Sequence, residues 1–108
     1  MKSANSYAVV LVTTPTNAVA RKLARAALKQ KLIACANIVP RVQSMYWWEG
    51  RIESSNELLV VMKTRKSLLT NLEALIQEVH PYDTPEFLVL PLHAGSRRYL
   101  DWLRQETR

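Results

Sequence analysis

The sequence predicts an α+β fold in which a strand, a helix, two strands, a helix and a strand follow one another, with a further helix at the end. Three observations carry this prediction. Apolar residues recur at helical spacing in two segments, and they form apolar or alternating runs in four others. A glycine, one of only two in the chain, separates two of these runs, as in a hairpin.

The first strand and helix are predicted within residues 7–31. The run YAVVLVTT is short, apolar and β-branched, as in a buried strand. In the following TPTNAVARKLARAALKQK, apolar residues recur at helical spacing: Val19, Leu23, Ala26 and Ala27. Thr16 or Asn17 is the predicted N-cap of this helix.

A long hairpin is predicted next, from LIACANIVPRVQSMYWW and RIESSNELLVVMKT. The tight connection WEGR joins the two strands, and Gly50 is expected to adopt a positive φ there. Pro40 cannot donate a ladder hydrogen bond, so it marks an edge or a bulge. Period-two alternation places one set of side chains on a common face: Ile52, Ser54, Asn56, Leu58, Val60 and Met62.

The second half of the chain contains the clearest helix, KSLLTNLEALIQEV. Its apolar stripe consists of Leu68, Leu72, Leu75, Ile76 and Val79. HPYDTP ends the helix because a residue before proline avoids the helical region. EFLVLPL is then predicted as a strand, and SRRYLDWLRQETR as a short helix that carries Tyr99, Leu100 and Leu103.

This order is that of a ferredoxin-like βαββαβ sandwich, here with a C-terminal helix and with a long hairpin between its second and third strands. Both crossover helices are expected on one face of the sheet. The opposite face is also apolar, because alternation places Leu59 and Val61 opposite Leu58 and Val60. A sheet that is apolar on both faces needs cover on both, and a second copy of the chain would supply it.

Length and composition indicate one domain, residues 1–108. Cys35 is the only cysteine, so no internal disulfide forms, and no segment approaches the roughly 20 apolar residues of a membrane helix. We therefore expect a cytoplasmic protein without membrane insertion.

Residues 1–48 contain seven basic and no acidic residues, whereas residues 49–108 contain eight basic and nine acidic ones. Five of the seven lie on the first predicted helix, where a solvated polar face is a simpler explanation than a nucleic-acid surface.

Four segments carry a resemblance to a known family: ACANIVPRVQSMYWWEGRIE, VMKTRKSLL, VHPYDTPEFLVLPL and YLDWL. From about Val9 to Leu103 the chain resembles the CutA family of divalent-cation tolerance proteins. This resemblance implies a ferredoxin-like fold and a tight homotrimer in which the long hairpins join the sheets of neighbouring subunits. It also implies a link to heavy-metal tolerance in bacteria, and relatives in animals are implicated in membrane-protein anchoring.

The candidate metal ligands are His80 and Cys35, since a thiolate and an imidazole suit copper or zinc. Each has a structural alternative. Cys35 resembles a small buried hydrophobe, and His80 stands at a helix end, where it favours the helix dipole. Some bacterial relatives carry a cysteine in the first strand and paired histidines before PY, where this chain has Val12 and Val79. The expected metal role is therefore weak binding of copper or another divalent cation, without an organic cofactor.

The resemblance also implies a pocket between subunits. The positions assigned to it are Tyr46, Trp48, Glu49, Lys63, Tyr82 and Glu86. An interface salt-bridge network is the structural alternative. For the aromatic run Tyr46, Trp47 and Trp48, the alternatives are a small core under the hairpin and a subunit interface, and the interface is preferred.

Enzyme and nucleic-acid functions are weakly supported. The chain has no glycine-rich phosphate loop, and no cysteine and histidine lie close in sequence. RNA-recognition domains share this topology but stack bases on aromatic residues of the third strand, and ELLVVMKT has none. The function that the resemblance to the CutA family implies is a non-enzymatic homotrimer in divalent-cation tolerance. The alternative is a trimeric small-ligand sensor or scaffold.

Overall fold

A computed structural model describes all 108 residues and confirms the predicted ferredoxin-like order. Two short strands, β1 and β6, pair with each other and were not predicted, because two residues carry no periodicity. A turn of 3-10 helix precedes α2 at Lys66–Leu68. The elements are β1 (Lys2–Ser3), β2 (Tyr7–Thr14), α1 (Asn17–Lys29), β3 (Cys35–Trp48), β4 (Arg51–Arg65), α2 (Leu69–Val79), β5 (Leu88–Pro91), β6 (Ala94–Gly95) and α3 (Arg97–Gln105).

The main sheet has the strand order β3-β4-β2-β5, with every neighbouring pair antiparallel. Helices α1 and α2 pack on one face of it. The apolar core between them contains Val10, Val12, Val60 and Met62 from the sheet, and Ala20, Leu23, Ala27, Leu72, Leu75 and Ile76 from the helices. The apolar periodicity of the two helical segments thus faces the sheet as predicted.

Helix α1 begins where the sequence predicts. The Thr16 hydroxyl accepts a hydrogen bond from the Val19 amide at 3.2 Å, which satisfies one of the free donors of the first turn. Strand β3 begins at Cys35, three residues later than predicted. Leu32 and Ile33 are buried in the connection instead, where the Leu32 carbonyl accepts a hydrogen bond of 2.6 Å from the Thr64 hydroxyl.

The β3–β4 hairpin turns at two residues with positive φ, Glu49 (50°) and Gly50 (79°). This pair of values is that of a type I′ turn, whose twist matches the strands. The register shifts between Val39 and Val42, where Pro40 and Arg41 oppose one residue of β4, so the predicted irregularity at Pro40 is a bulge. The molecule measures 45 × 26 × 23 Å because the hairpin extends beyond the helices.

The sheet face opposite α1 and α2 is called the open face here. Strand register places one row of apolar residues on it: Val9, Leu11, Val39, Leu59, Val61, Leu88 and Leu90. Helix α3 covers only one end of this face, where Leu100 and Leu103 pack with Ala4 and Tyr7 in a second, smaller core. At the uncovered end Leu88 is 54% exposed and Leu90 is 46% exposed.

Candidate functional site

His80 connects the loop after α2 to the end of β2 through hydrogen bonds. The side chain is buried, and its Nε2 lies 2.8 Å from the carbonyl oxygen of Thr13. Because a carbonyl oxygen can only accept a hydrogen bond, Nε2 carries the proton and donates the hydrogen bond. Nδ1 is therefore an acceptor, and it accepts a hydrogen bond from the Tyr82 amide at 3.1 Å. Both ring nitrogens of this neutral imidazole are thus used within the chain.

The same loop brings Tyr82 and Glu86 to Glu57 of β4, and these three residues form the acidic cluster. The Tyr82 hydroxyl donates to Glu57 Oε2 at 2.7 Å, and its ring lies 4.6 Å from the His80 ring. Glu57 is buried, with 7% of its surface exposed. Since the only salt bridge in the chain joins Lys2 to Asp101, no cation within the chain neutralises the cluster.

The electrostatics of the acidic cluster favour the protonated forms of Tyr82 and Glu86. Loss of water, followed by the hydrogen bond to Glu57 and its charge, raises the pKa of Tyr82 well above its ordinary value of 10.0. Loss of water and then the charge of Glu57 also raise the pKa of Glu86 above 4.5. A positive group arriving here would therefore be attracted by charge that the chain itself leaves uncompensated.

One chain brings together only part of the predicted inter-subunit pocket. Tyr82 and Glu86 meet at the acidic cluster, and Tyr46 lies on the same face of the hairpin, with its hydroxyl 3.2 Å from that of Ser55. Trp48 and Glu49 stand at the hairpin tip, about 20 Å along the strand from Glu57.

Lys63 lies about 20 Å from Glu57 in the other direction, since it stands six positions further along β4. Its ammonium is 5.8 Å from the centre of the Tyr99 ring. A pocket that includes the tip, Lys63 and the acidic cluster would need residues of more than one copy, so it stays a prediction about the assembly.

The two candidate metal ligands do not meet in one chain. Cys35 pairs with Lys63, whereas Thr13, the partner of His80, pairs with Leu59, about 13 Å further along β4. The nearest polar partner of the Cys35 sulfur is Asn37 Oδ1, at 3.7 Å. The chain has no group of three or more histidine, cysteine or acidic side chains placed to hold a metal ion. Within a single chain the residues present do not fit a metal site.

Glu57 is the residue that the sequence analysis missed. The alternation that placed Leu59 and Val61 on the open face also places Glu57 there, two residues before them. An acidic residue on the same strand face as a row of apolar residues is unusual, and it could have identified Glu57 as a candidate site residue. Its partner Tyr82 lies in a loop 25 residues further on, so no local pattern in the sequence links the two residues.

No helix of the protein has the length and apolar character needed to cross a membrane.

Comparison with known proteins identifies the family. The family described as CutA1 divalent ion tolerance protein matches residues 8–106. The chain is 43% identical over 99 residues to the divalent-cation tolerance protein CutA of Thermus thermophilus, covering 92% of this chain and 96% of that protein. The crystal structure of CutA1 from Oryza sativa superposes with a TM-score of 0.94 at 41% identity, covering 99% of this chain and 98% of that one.

The chloroplastic CutA 1 protein of rice is 44% identical over 100 residues, which are 93% of this chain and 56% of the rice protein. The chain thus spans about half the length of the plant relatives it matches. On the family match, the identities and the shared fold, the chain belongs to the CutA1 divalent ion tolerance family.

Proposed function

We propose that the protein acts in divalent-cation tolerance as a cytoplasmic homotrimer and that it is not an enzyme. The observation that carries the assembly is the open face together with the hairpin tip. Trp47 is 73% exposed, Ile52 63% and Trp48 58%, and each is a large apolar surface that a second copy would cover. The name of the Thermus relative supports the link to divalent cations.

Light scattering at micromolar concentration tests the assembly. The expected mass is three times the chain mass of 12.4 kDa. A stable monomer would contradict the homotrimer, and it would leave the apolar open face in contact with water.

We propose further that divalent cations, copper among them, bind weakly and through carboxylates rather than through His80. Glu57 and Glu86 have no cationic partner within the chain, whereas both nitrogens of His80 are engaged. The remaining ligands would come from across a subunit boundary.

Calorimetry with copper and with zinc tests this cation site. The double variant Glu57→Gln/Glu86→Gln should lose the heat of binding, and Glu73→Gln/Glu78→Gln is the matched control, since it removes two exposed carboxylates of α2. Unchanged binding in the first variant would place the cations elsewhere.

A second candidate function is a small-ligand sensor or scaffold, and the acidic cluster favours it. A buried carboxylate, a phenol and a second carboxyl at the edge of an uncovered sheet face would recognise a positively charged group on a small molecule. A panel of small metabolites in the same calorimeter separates the two functions. Micromolar binding of a metabolite, without an effect of metal, would favour the sensor.

A further inference from the structure

Helix α1 carries four cations on the side that faces away from the core. Arg21, Lys22, Arg25 and Lys29 are all exposed, and at 3.6 residues per turn they fall within an arc of about 100°. The residues that α1 buries lie on the opposite side: Ala20, Leu23, Ala24 and Ala27. These four cations form the basic face of α1.

The basic face has no counter-charge within the chain. None of its four side chains takes part in a salt bridge, and the first acidic residue of the sequence is Glu49. Arg21, Arg25 and Lys29 follow one another at four-residue spacing, at which like charges repel across the helix surface. The helix therefore retains a repulsion that only an external anion would relieve.

The surface between these cations is a shallow groove that is open to solvent and lined by residues of α1 alone. Its floor is made by the small side chains of Ala18 and Ala26, and its walls by the long stems of the arginines and lysines. Small residues flanked by long ones let the ridge of another helix approach closely.

We propose that the basic face of α1 is a docking site for an acidic α-helix of another protein. Arg21, Arg25 and Lys29 recur every 6 Å along the axis, roughly the spacing of carboxylates at every fourth position of a partner helix. The guanidinium groups of Arg21 and Arg25 suit carboxylates in particular, because their planar fork binds both oxygens at once.

Other anionic partners fit the basic face less well. Apart from its two ends, helix α1 offers no free backbone groups with which an extended segment could pair, whereas a partner helix satisfies its own. The segment Asn17–Lys29 has no aromatic side chain on which a single-stranded nucleic acid could stack its bases. The groove floor is alanine, which gives no large apolar group to insert into a lipid surface.

Fluorescence anisotropy with two stapled, alanine-based helical peptides of equal composition tests the proposal. One peptide has glutamates at every fourth position, which places them in one row, and the other has them at every fifth position, which spreads them around the helix. We expect the first peptide to bind more tightly and its binding to weaken in about 0.5 M salt, where exposed charges are screened.

The double variant Arg21→Ala/Arg25→Ala should weaken that binding about fivefold, as expected for the loss of two exposed charge pairs. Lys66→Ala/Arg98→Ala is the matched control, because it removes two exposed cations outside α1 and should change the affinity by less than about twofold. Circular dichroism should show that both variants keep their helix content, since alanine favours the helix.

Three results with the peptides would overturn the proposal. They are equal affinity for the two peptides, unchanged affinity in the Arg21→Ala/Arg25→Ala variant, and no binding at low salt. Duplex DNA and anionic vesicles are measured in parallel. Tighter binding of either one that depends on Arg21 and Arg25 would assign the basic face to a phosphate polymer or a lipid surface instead.

Discussion

The hydroxyl of Tyr82 supplies the one hydrogen bond that the Glu57 carboxylate receives from a side chain. Tyr82→Phe removes this donor and leaves a buried carboxylate without a partner, so we expect the variant to lose about 1–2 kcal/mol of unfolding free energy. Urea unfolding at fixed protein concentration measures the loss. Tyr99→Phe is the control, since the Tyr99 hydroxyl has no hydrogen-bond partner in the chain, and a loss of equal size there would contradict the assignment.

The single residue Glu86 should make the stability of the protein depend on pH. Its raised pKa means that the folded state holds the proton more tightly than the unfolded chain, so ionisation of Glu86 lowers stability as pH rises through the folded-state pKa. Glu86→Gln should therefore be more stable than the unmodified protein at pH 7, by a few tenths of a kcal/mol because the group is half-buried and partly screened. The difference should vanish below the ordinary pKa of 4.5, where the group is protonated in both states. A stabilisation that persists in acid would exclude this cause.

At the scale of the elements, two substitutions in the hairpin turn should change the free energy of unfolding in opposite directions. Gly50 has a φ of 79°, and a Cβ built there meets no atom within 4 Å, so Gly50→Ala tests backbone strain alone. We expect it to cost about 1 kcal/mol. Glu49→Asn should act in the other direction, because asparagine tolerates the φ of 50° and Asn-Gly is the preferred pair of a type I′ turn. Chemical unfolding of both variants measures the two shifts, and shifts of the same sign would contradict the turn geometry.

The elements themselves could be predicted from the sequence because each has its own local pattern. Thr16 caps α1, Gly50 turns the hairpin and Pro40 marks the bulge, and each acts through the backbone within a few residues. The pairing of β1 with β6 could not be predicted, since it joins residues more than 90 positions apart and two residues have no period. Leu32 and Ile33 were predicted to lie in a strand, because an apolar run does not show whether its residues join a sheet or are only buried in a connection.

For the whole molecule, Trp48→Ala should weaken assembly more than it weakens the fold of the chain. Trp48 lies at the tip of the hairpin, beyond the helices that cover the core, and is 58% exposed. Truncation of a tryptophan in an interface commonly costs about 2–4 kcal/mol, and the loss recurs at every symmetric contact of a ring. Sedimentation over a dilution series measures the assembly. Trp102→Ala on α3 is the control, and a Trp48→Ala variant that stays trimeric at nanomolar concentration would show that this side chain is not part of an interface.

The candidate site was less predictable than the fold because it is assembled by tertiary contacts. Tyr82 and Glu86 were predicted from the loop sequence, but their partner Glu57 lies 25 or more residues earlier, and the apolar alternation of its strand does not indicate a contact with a distant loop. Lys63 shares that strand, yet its distance along β4 separates it from the acidic cluster. Only the register of the sheet reveals which of these residues are neighbours.

Residues 43–56 form the part of the β3–β4 ladder that extends past the bulge and beyond the buried Glu57, where no helix of the same chain covers it. A two-stranded ribbon exposed on both sides opens at little free-energy cost, so its amide protons should exchange rapidly with deuterium in an isolated chain. In a homotrimer a neighbouring copy closes over the ribbon, and exchange there should slow as the protein concentration rises. The amides of Val10 and Val12 lie in the core and should keep a nearly constant rate. The ribbon would thus report the degree of association, amide by amide, without any label.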